Sequence, residues 1–362
     1  MPWQQSPTSK APKEHCESST NMLAAIQFNF HGLVSLLVRC PAGMMAFLRS
    51  EWASFETQRD GTRSDILVQW MRRLGWRRAV QKGNARNQAA GWYKGCFWRA
   101  TVSDDDGRPL IHYASVPRSG FLFKDSCLEP LVLQRLGSKG LHGLHASSLL
   151  IGRKAWVFCG PPGTGKTVLG LLGVREGHTL LSDDVTLLGD GRVFPYIVPP
   201  RLSPIENIDG DLLQEVAAKS ASADRVVRAM INYVTLGRMH IPARLWSPNV
   251  SSIRVPNGAN YPLGGVFFLK ARGGPSEIRP RREVQSAAQD ALNCSPTHGG
   301  SILGRLSLID GSDTARAEAL GREMEELVES GRCFELYAHP DMSTEEWKDV
   351  FHGILRTAEE FD

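Results

Sequence analysis

The sequence is short of the features that define membrane and secreted proteins. No stretch approaches the roughly 18 consecutive apolar residues of a membrane-spanning helix. The best candidate, residues 32–48, is interrupted by Arg39 and Pro41. The first twenty residues are polar and contain no apolar segment of the kind that a secretory signal needs. We therefore expect a soluble, cytoplasmic protein with no membrane partner.

An excess of charge and any cysteine motif are also missing. The formal net charge of +4 over 362 residues gives no reason to expect nucleic acid as a partner. Basic residues at 71–86 and the aromatic residues that follow, up to Trp98, could bind nucleic acid. The nearly balanced charge favours a solvated helix leading into a core strand instead. Seven scattered cysteines without a Cys-x-x-Cys pair predict buried free thiols rather than a zinc site or a disulfide framework.

The composition divides the chain into three parts. Residues 1–20 are rich in Ser, Thr, Pro, Lys and Glu, which predicts a disordered tail. Residues 21–136 predict a smaller N-terminal α+β domain. Glycines within 137–143 predict a flexible joint, so that a second domain would occupy residues 137–362.

The predicted second domain begins with the pattern strand, glycine loop, helix, strand. A helix is predicted at 208–232 and a buried strand at 265–270. Two further helices, at 316–330 and 344–360, flank a predicted strand at 333–337. This alternation predicts an α/β fold.

A glycine-rich segment at the start of this domain matches the pattern G-x-x-x-x-G-K-[ST] at every fixed position. An apolar strand enters the segment and a helix leaves it, which is the context that a phosphate-binding loop requires. The glycines let backbone N–H groups surround the phosphates, and the helix N-terminus adds the positive end of its dipole. Lys166 would reach the terminal phosphates of ATP, and Thr167 would hold Mg²⁺. The complete segment is Gly160, Pro161, Pro162, Gly163, Thr164, Gly165, Lys166 and Thr167.

Two adjacent carboxylates follow the loop and its helix. Asp183 and Asp184 interrupt a strand that is predicted to start at 179 and to continue to 188. Side chains alternate along a strand, but at a turn both can approach one site. One carboxylate would then orient Mg²⁺, and the other would accept the proton of an attacking hydroxyl. The sequence leaves open which acid is the base, and we favour Asp184 for the base and Asp183 for the metal. An acidic turn that only closes the strand is the alternative.

The residues at the variable positions of the loop also fit a second class of protein, the AAA-type ATPases. A Pro-Pro-Gly-Thr filling is common in AAA-type ATPases, which usually place an acid at the end of a strand far downstream of the lysine. Residues 308–310 could form such a strand end, but Gly304 and Arg305 interrupt its apolar run. The short spacing from Lys166 to the acidic pair favours a compact kinase-like site.

The loop, the acids and a preceding histidine together resemble HPr kinase/phosphorylase and its relatives. In that family a histidine on a strand precedes the loop, and His145 lies 15 residues before Gly160, at the family's spacing. A glycine-histidine pair and two acids follow the helix in the family, as Gly177, His178 and the acidic pair do here. The match covers residues 141–190, and the chain looks closer to divergent HprK-related bacterial kinases than to the sugar-regulating enzyme.

The resemblance implies a kinase core of the HPr kinase and phosphoenolpyruvate carboxykinase type, an α/β phosphate-loop domain with mixed sheets. It places His145 near the terminal phosphate or the acceptor. The sugar-regulating relatives form hexamers, but a homo-oligomer here would rest on fold analogy alone, and the sequence leaves the oligomeric state open. The chain lacks that enzyme's glutamate-arginine-glycine signature after the acids, so phosphorylase activity and HPr as substrate are not carried over. Candidates for the family's later arginine are Arg272, Arg279, Arg281 and Arg282.

The sequence thus predicts an ATP-dependent kinase that transfers the γ-phosphoryl group to a serine hydroxyl of a protein or peptide. The predicted catalytic residues are His145, Lys166, Asp183 and Asp184, with Thr167 and Asp183 at Mg²⁺. The N-terminal domain would select the acceptor. The alternatives are a small-molecule kinase, for example of free serine, a nucleotide-dependent regulator or ATPase without an acceptor, and a nucleic-acid-binding ATPase.

Overall fold

The computed structural model describes most of the chain. The described residues are 23–58, 63–71, 88–93, 96–105, 108–116, 120–198, 201–202, 243–244, 256, 258–294, 312–339 and 341–361. The predicted tail at 1–20, the predicted helix at 208–232 and the strand end at 308–310 lie outside them, as does most of the basic segment at 71–86.

The first half of the described chain forms a mixed seven-stranded sheet in the order β3-β1-β2-β4-β7-β6-β5. Strands β2, β4 and β7 run parallel, and the other neighbours are antiparallel. The strands are β1 (Ala24–Phe30), β2 (Val34–Cys40), β3 (Glu56–Thr57), β4 (Ile66–Trp70), β5 (Gln88–Tyr93), β6 (Cys96–Asp104) and β7 (Pro109–Val116).

Helices cover this first sheet. Helix α1 (Ala42–Glu51) follows β2. Helix α2 (Gly120–Phe123) continues through a π-helical turn (Lys124–Leu128) into α3 (Glu129–Gly137). Their apolar side chains form one core with the sheet, and this core also contains Val185, Leu187 and Tyr196 from the second half of the chain.

The second half forms a mixed nine-stranded sheet around the long buried strand β16. Strand β16 (Tyr261–Ala271) pairs antiparallel with β13 (Arg192–Phe194) at its first two residues. Beyond them it runs parallel to β10 (Lys154–Cys159) on one side and to β18 (Cys333–Ala338) on the other. Its run of seven consecutive buried residues is typical of a strand that is covered on both faces. The strands are β8 (His142–Leu144), β9 (Ala146–Ile151), β10 (Lys154–Cys159), β11 (Thr179–Ser182), β12 (Thr186–Gly189), β13 (Arg192–Phe194), β16 (Tyr261–Ala271), β17 (Glu277–Pro280) and β18 (Cys333–Ala338). A separate pair joins β14 (Arg201–Leu202) and β15 (Ala243–Arg244).

Helices lie on both faces of the second sheet. On one face α4 (Lys166–Arg175) and α7 (Thr344–Glu359) share a core, and α7 starts at a capping box between Ser343 and Glu346. On the other face α5 (Val284–Asn293) and α6 (Ser312–Glu329) share a second core. The prediction of an α/β protein with mixed sheets is therefore confirmed.

Three local predictions differ from the structure. The segment predicted as a single strand from 179 to 188 is two strands, because β11 pairs with β9 whereas β12 pairs with β8 and β13. The predicted flexible joint at 137–143 ends in an ordered strand, β8. This strand forms because it pairs with β12, about 45 positions later in the chain, which a local pattern does not reveal. His145 does not lie within a strand but at the bend between β8 and β9.

Candidate functional site

The glycine loop lies between β10 and α4, at the edge of the sheet where the parallel strands β10, β16 and β18 end. Gly163 and Gly165 have φ angles of 80° and 91°, in the left-handed region that favours glycine. Gly165 occupies the N-cap of α4, so backbone N–H groups of the first helical turn face the loop. This geometry suits an anion at the helix N-terminus.

A tryptophan from the last helix supports the loop from behind. Trp347 of α7 is buried, and its indole ring lies where a side chain on Gly165 would project. A methyl group at residue 165 would overlap that ring. Sequence reasoning missed Trp347 because no local pattern connects residue 347 with the loop.

Lys166 points into the loop. Its side chain is 6% exposed, and Nζ donates hydrogen bonds to the backbone carbonyls of Gly160 and Pro161, both at 2.8 Å. Burial lowers the pKa of Lys166, and the negative charges of Asp183 and Asp184 offset part of that effect. The ammonium group is thus held at the centre of the loop by backbone oxygens and by the nearby acids.

Thr167 and Asp183 meet directly. The Thr167 hydroxyl Oγ1 donates to the Asp183 carboxylate, at 3.2 Å from Oδ1 and 3.4 Å from Oδ2. Asp183 is only 3% exposed. A hydroxyl and a carboxylate at this separation are oxygen donors of the kind that Mg²⁺ prefers.

Asp184 and His145 form the neighbouring pair. His145 Nδ1 lies 3.0 Å from Asp184 Oδ1 and 2.9 Å from the Asp184 carbonyl oxygen. Burial lowers the pKa of His145, but the hydrogen bond and the charge of Asp184 outweigh burial and raise the pKa above 6.5. The side chains of His145 and Asp184 are 29% and 32% exposed, so this pair is accessible from solvent whereas Asp183 is not.

The backbone at the acidic pair is unusual. Asp184 has a φ angle of 72°, a left-handed conformation that few residues other than glycine, asparagine and aspartate adopt. Such outliers persist where the surrounding structure holds them. Here the turn between β11 and β12 sends the buried Asp183 side chain towards Thr167 and the Asp184 side chain towards His145.

Buried hydroxyl groups hold the base of this turn. Ser182 lies 2.6 Å from the Ser148 hydroxyl and 3.0 Å from the Thr186 hydroxyl, and Thr186 donates to the Ala146 carbonyl at 3.1 Å. The Ser147 hydroxyl also donates to the Ser182 carbonyl, at 3.2 Å. These bonds connect β9 with both strands that flank the acids, and they fix where β11 ends.

The structure therefore brings together His145, Lys166, Thr167, Asp183 and Asp184, although they come from three separate segments. Other candidates lie elsewhere. His178 packs its ring against Phe351, 5.9 Å between centroids. Arg281 is buried in an ion pair with Asp290, at 2.8 Å.

The other three arginine candidates are exposed on the surface. The guanidinium carbons of Arg272 and Arg279 lie 5.4 Å and 5.2 Å from the centroid of the Tyr337 ring. Arg282 is likewise exposed. None of these side chains has a described contact with the loop or the acids.

A second residue that sequence reasoning missed is Cys294, at the end of α5. The backbone N–H of His145 donates to the Cys294 carbonyl. The positive charges of Lys166 and His145 also act on the Cys294 thiol. The only sequence signal was the position of another cysteine, Cys159, directly before the loop.

Comparisons with known proteins add no assignment. The chain matches no protein-family model, and no curated protein matches it.

Among the described residues, no helix is long and apolar enough to cross a membrane. The same residues contain no group of three or more His, Cys, Asp or Glu side chains that could hold a metal ion. At the loop, the Thr167 hydroxyl and the Asp183 carboxylate are side chains that could hold Mg²⁺, an ion that retains several waters and binds substrate phosphates.

Proposed function

We propose that this protein is an ATP-dependent kinase that transfers the γ-phosphoryl group to a hydroxyl, a serine of a protein or peptide. The observation that carries the proposal is the contact between the Thr167 hydroxyl and the Asp183 carboxylate, with the His145–Asp184 pair beside it. A phosphate loop alone serves motors, switches and kinases. A second, solvent-accessible carboxylate next to the loop provides the group that an acceptor hydroxyl requires.

The residues present fit ATP and Mg²⁺. The left-handed glycines, the N-terminus of α4 and the buried ammonium of Lys166 provide positive potential and backbone donors for phosphates. Thr167 and Asp183 provide the oxygen ligands for the ion. When bound, Mg²⁺ would neutralise charge on the transferring phosphoryl group.

The two carboxylates differ in environment, and we assign their roles from that difference. Asp183 is buried against Thr167 and would orient the metal. Asp184 is partly exposed and would accept the proton of the acceptor hydroxyl. His145 would hold the Asp184 carboxylate in place through its Nδ1, and its positive charge would stabilise negative charge that develops nearby.

The arrangement also supports a kinase core of the HPr kinase and phosphoenolpyruvate carboxykinase type. The mixed sheet, the histidine before the loop and the paired acids after the helix agree with what the sequence resemblance implies. AAA-type ATPases are less compatible, since the acids that contact the loop here follow it closely in the chain. We retain a protein or peptide serine as acceptor on the strength of the resemblance.

The test separates the two acids. Purified protein is incubated with Mg²⁺, γ-labelled ATP and a lysate of its own host, and nucleotide affinity is measured separately by calorimetry. Asp183→Asn should lose both Mg²⁺-dependent nucleotide binding and transfer. Asp184→Asn should bind nucleotide normally and lose transfer, by about 100-fold or more if it is the base.

Asp190→Asn is the matched control, because Asp190 also has a left-handed φ angle, 52°, but lies in an exposed turn. It should transfer label as the parent does. Label found only in small molecules would replace the protein acceptor by a metabolite. Binding of ATP without any labelled product would contradict the kinase and favour a nucleotide-dependent regulator.

A further inference from the structure

Two cysteine thiols meet directly behind the phosphate loop. Cys159 is the last residue of β10, and the next residue, Gly160, begins the loop. Cys294 caps the C-terminus of α5. Each thiol is the largest single influence on the pKa of the other, so the two side chains lie close together. Both cysteines are free thiols in the structure.

The backbone holds the pair together independently of the thiols. Cys159 lies opposite Ala146 in the ladder between β9 and β10. The preceding residue, His145, donates its backbone N–H to the Cys294 carbonyl. Both cysteines are therefore anchored within one residue of the start of β9. They also belong to the same apolar core, on the face of the sheet that α5 covers.

The two thiols have different reactivity. The pKa of Cys294 is lowered from 9.0 to about 7, first by the hydrogen bond with Cys159 and then by the charges of Lys166 and His145, against burial and the charge of Asp290. The same hydrogen bond, together with burial, raises the pKa of Cys159 well above its ordinary value. Cys294 is half-buried and Cys159 fully buried. Since the thiolate is the nucleophile, Cys294 is the residue that an external reagent would meet first.

We propose that Cys294 and Cys159 are a peroxide-oxidisable dithiol that closes to a disulfide beside the phosphate loop. The Cys294 thiolate attacks one oxygen of hydrogen peroxide, an S–O bond forms as the O–O bond breaks, and the leaving hydroxide takes a proton to become water. The Cys159 thiol then attacks the sulfur of the Cys294 sulfenic acid. The S–S bond forms as the S–O bond breaks, and a second water leaves with the Cys159 proton.

Closing the disulfide must change the loop. A disulfide requires the sulfur atoms to approach to about 2 Å, much closer than two hydrogen-bonded thiols. The Cys294 side chain at the end of α5 and the Cys159 side chain next to Gly160 therefore have to draw together. The reaction also removes the ionisable Cys294 thiol, on which the positive charge of Lys166 acts. If the proposed function is correct, on which this consequence rests, the oxidised protein should bind nucleotide more weakly than the reduced protein.

The experiment uses the full chain and hydrogen peroxide. Trypsin releases each cysteine in its own peptide, Cys159 in residues 155–166 and Cys294 in residues 283–305. Mass spectrometry of the treated protein should find these two peptides joined, with the loss of two hydrogen atoms, and dithiothreitol should separate them. Cys333→Ser is the matched control, because Cys333 shares the core, while burial raises its pKa to about 12. It should leave the linkage intact, whereas Cys294→Ser should abolish it.

Failure of the dithiol and failure of the kinase are distinguishable. If treated protein that remains folded by circular dichroism shows no linked pair, or shows linkage at other cysteines only, the dithiol is overturned whatever the nucleotide does. If the pair links but neither form binds ATP, the dithiol stands and the proposed function fails. If oxidised and reduced protein bind ATP equally, the linkage has no effect on the loop and that consequence is wrong.

Discussion

At the scale of single residues, the site depends on charges that are held in place before any ligand arrives. Lys166 donates hydrogen bonds to two loop carbonyls. Burial lowers its pKa, and the negative charges of the nearby acids raise it. Thr167 and Asp183 are already in contact, and so are His145 and Asp184. Phosphoryl transfer relies chiefly on positioning and charge neutralisation, so such preorganisation is what a kinase would use.

The first prediction concerns Lys166. Lys166→Ala should reduce phosphoryl transfer by at least about 100-fold, the order of loss seen when one preorganised electrostatic group is removed. The fold should persist, because the buried charge is lost together with its desolvation cost. Transfer is measured with labelled ATP, and the fold by circular dichroism. Turnover at the parent's rate in a folded variant would rule out the assigned role of Lys166.

The second prediction concerns the pH dependence of the His145–Asp184 pair. The folded-state pKa of His145 is raised above 6.5, so protonation favours the folded state. This contribution is fully present below pH 6.5 and is lost as the pH rises through the folded-state pKa. Asp184→Asn tolerates the left-handed backbone but removes the charge. Its deficit in the free energy of unfolding should therefore be larger at about pH 5.5 than at about pH 8.5.

Urea denaturation at the two pH values measures that difference. In a His145→Gln background, Asp184→Asn should show the same deficit at both pH values, because the titrating group is absent. If His145 is retained and Asp184→Asn lowers the free energy of unfolding equally at both pH values, Asp184 does not raise the pKa of His145.

At the scale of secondary-structure elements, the loop depends on how α4 and α7 pack. Gly163 and Gly165 are equally left-handed, but only Gly165 faces another element, through Trp347. The capping box at Ser343 and Glu346 sets the start of α7 and with it the position of Trp347 in the first turn. Helix α7 begins almost two hundred residues after the loop, and its Trp347 nevertheless limits the size of the side chain that residue 165 can carry.

The third prediction uses the two glycines as a matched pair. Gly163→Ala should cost about 1–2 kcal/mol of unfolding free energy, from the left-handed backbone alone. Gly165→Ala should cost about 1–3 kcal/mol more, because its methyl group overlaps the buried indole. Chemical denaturation measures both. Trp347→Phe removes the ring atoms nearest to residue 165, so it should reduce the extra cost of Gly165→Ala in a double-mutant cycle. Equal costs for the two glycines would contradict this packing.

At the scale of the whole molecule, the two sheets share a core rather than meeting only at a joint. Val185 and Leu187, which follow the acidic pair, pack into the core of the first sheet. Tyr196 forms a backbone bridge with Ser182, and its hydroxyl accepts from the Trp52 indole at 3.0 Å and donates to Glu129 at 3.2 Å. The predicted domain boundary near residue 137 stays a prediction. The residues next to the acidic pair nevertheless pack against residues that precede this boundary in the chain.

The fourth prediction tests this connection. Tyr196→Phe keeps the ring contacts with Phe30 and Phe55 and leaves the buried Trp52 N–H without its acceptor. It should cost about 1–3 kcal/mol of unfolding free energy. Tyr337→Phe is the control, because the Tyr337 hydroxyl bonds to Glu335 near the surface, and it should cost less than about 1 kcal/mol. Urea denaturation of the full chain measures both. Equal costs would show that the Tyr196 hydroxyl does not connect the two halves.

The elements near the loop were predictable because their signals are local. The apolar run before Gly160, the glycines and the helix from Lys166 all lie within one short segment, and the structure places β10 and α4 there. Strand β16 and helices α6 and α7 were predicted within a few residues of their ends for the same reason. The residues on either side of Asp183 and Asp184 were predicted as one strand, but β11 and β12 are separate strands with separate partners, which a single apolar run does not reveal.

The sequence by itself determined the glycine loop, the helix behind it and the presence of two adjacent acids, because backbone conformation over ten residues follows from local residue types. Only the tertiary structure decided which side chains meet. Asp184 contacts His145, Cys294 contacts Cys159 and Trp347 covers Gly165, and each of these pairs is far apart in the chain. Such contacts depend on strand pairing and on the burial of helix faces, which are properties of the whole fold and leave no mark in a local pattern.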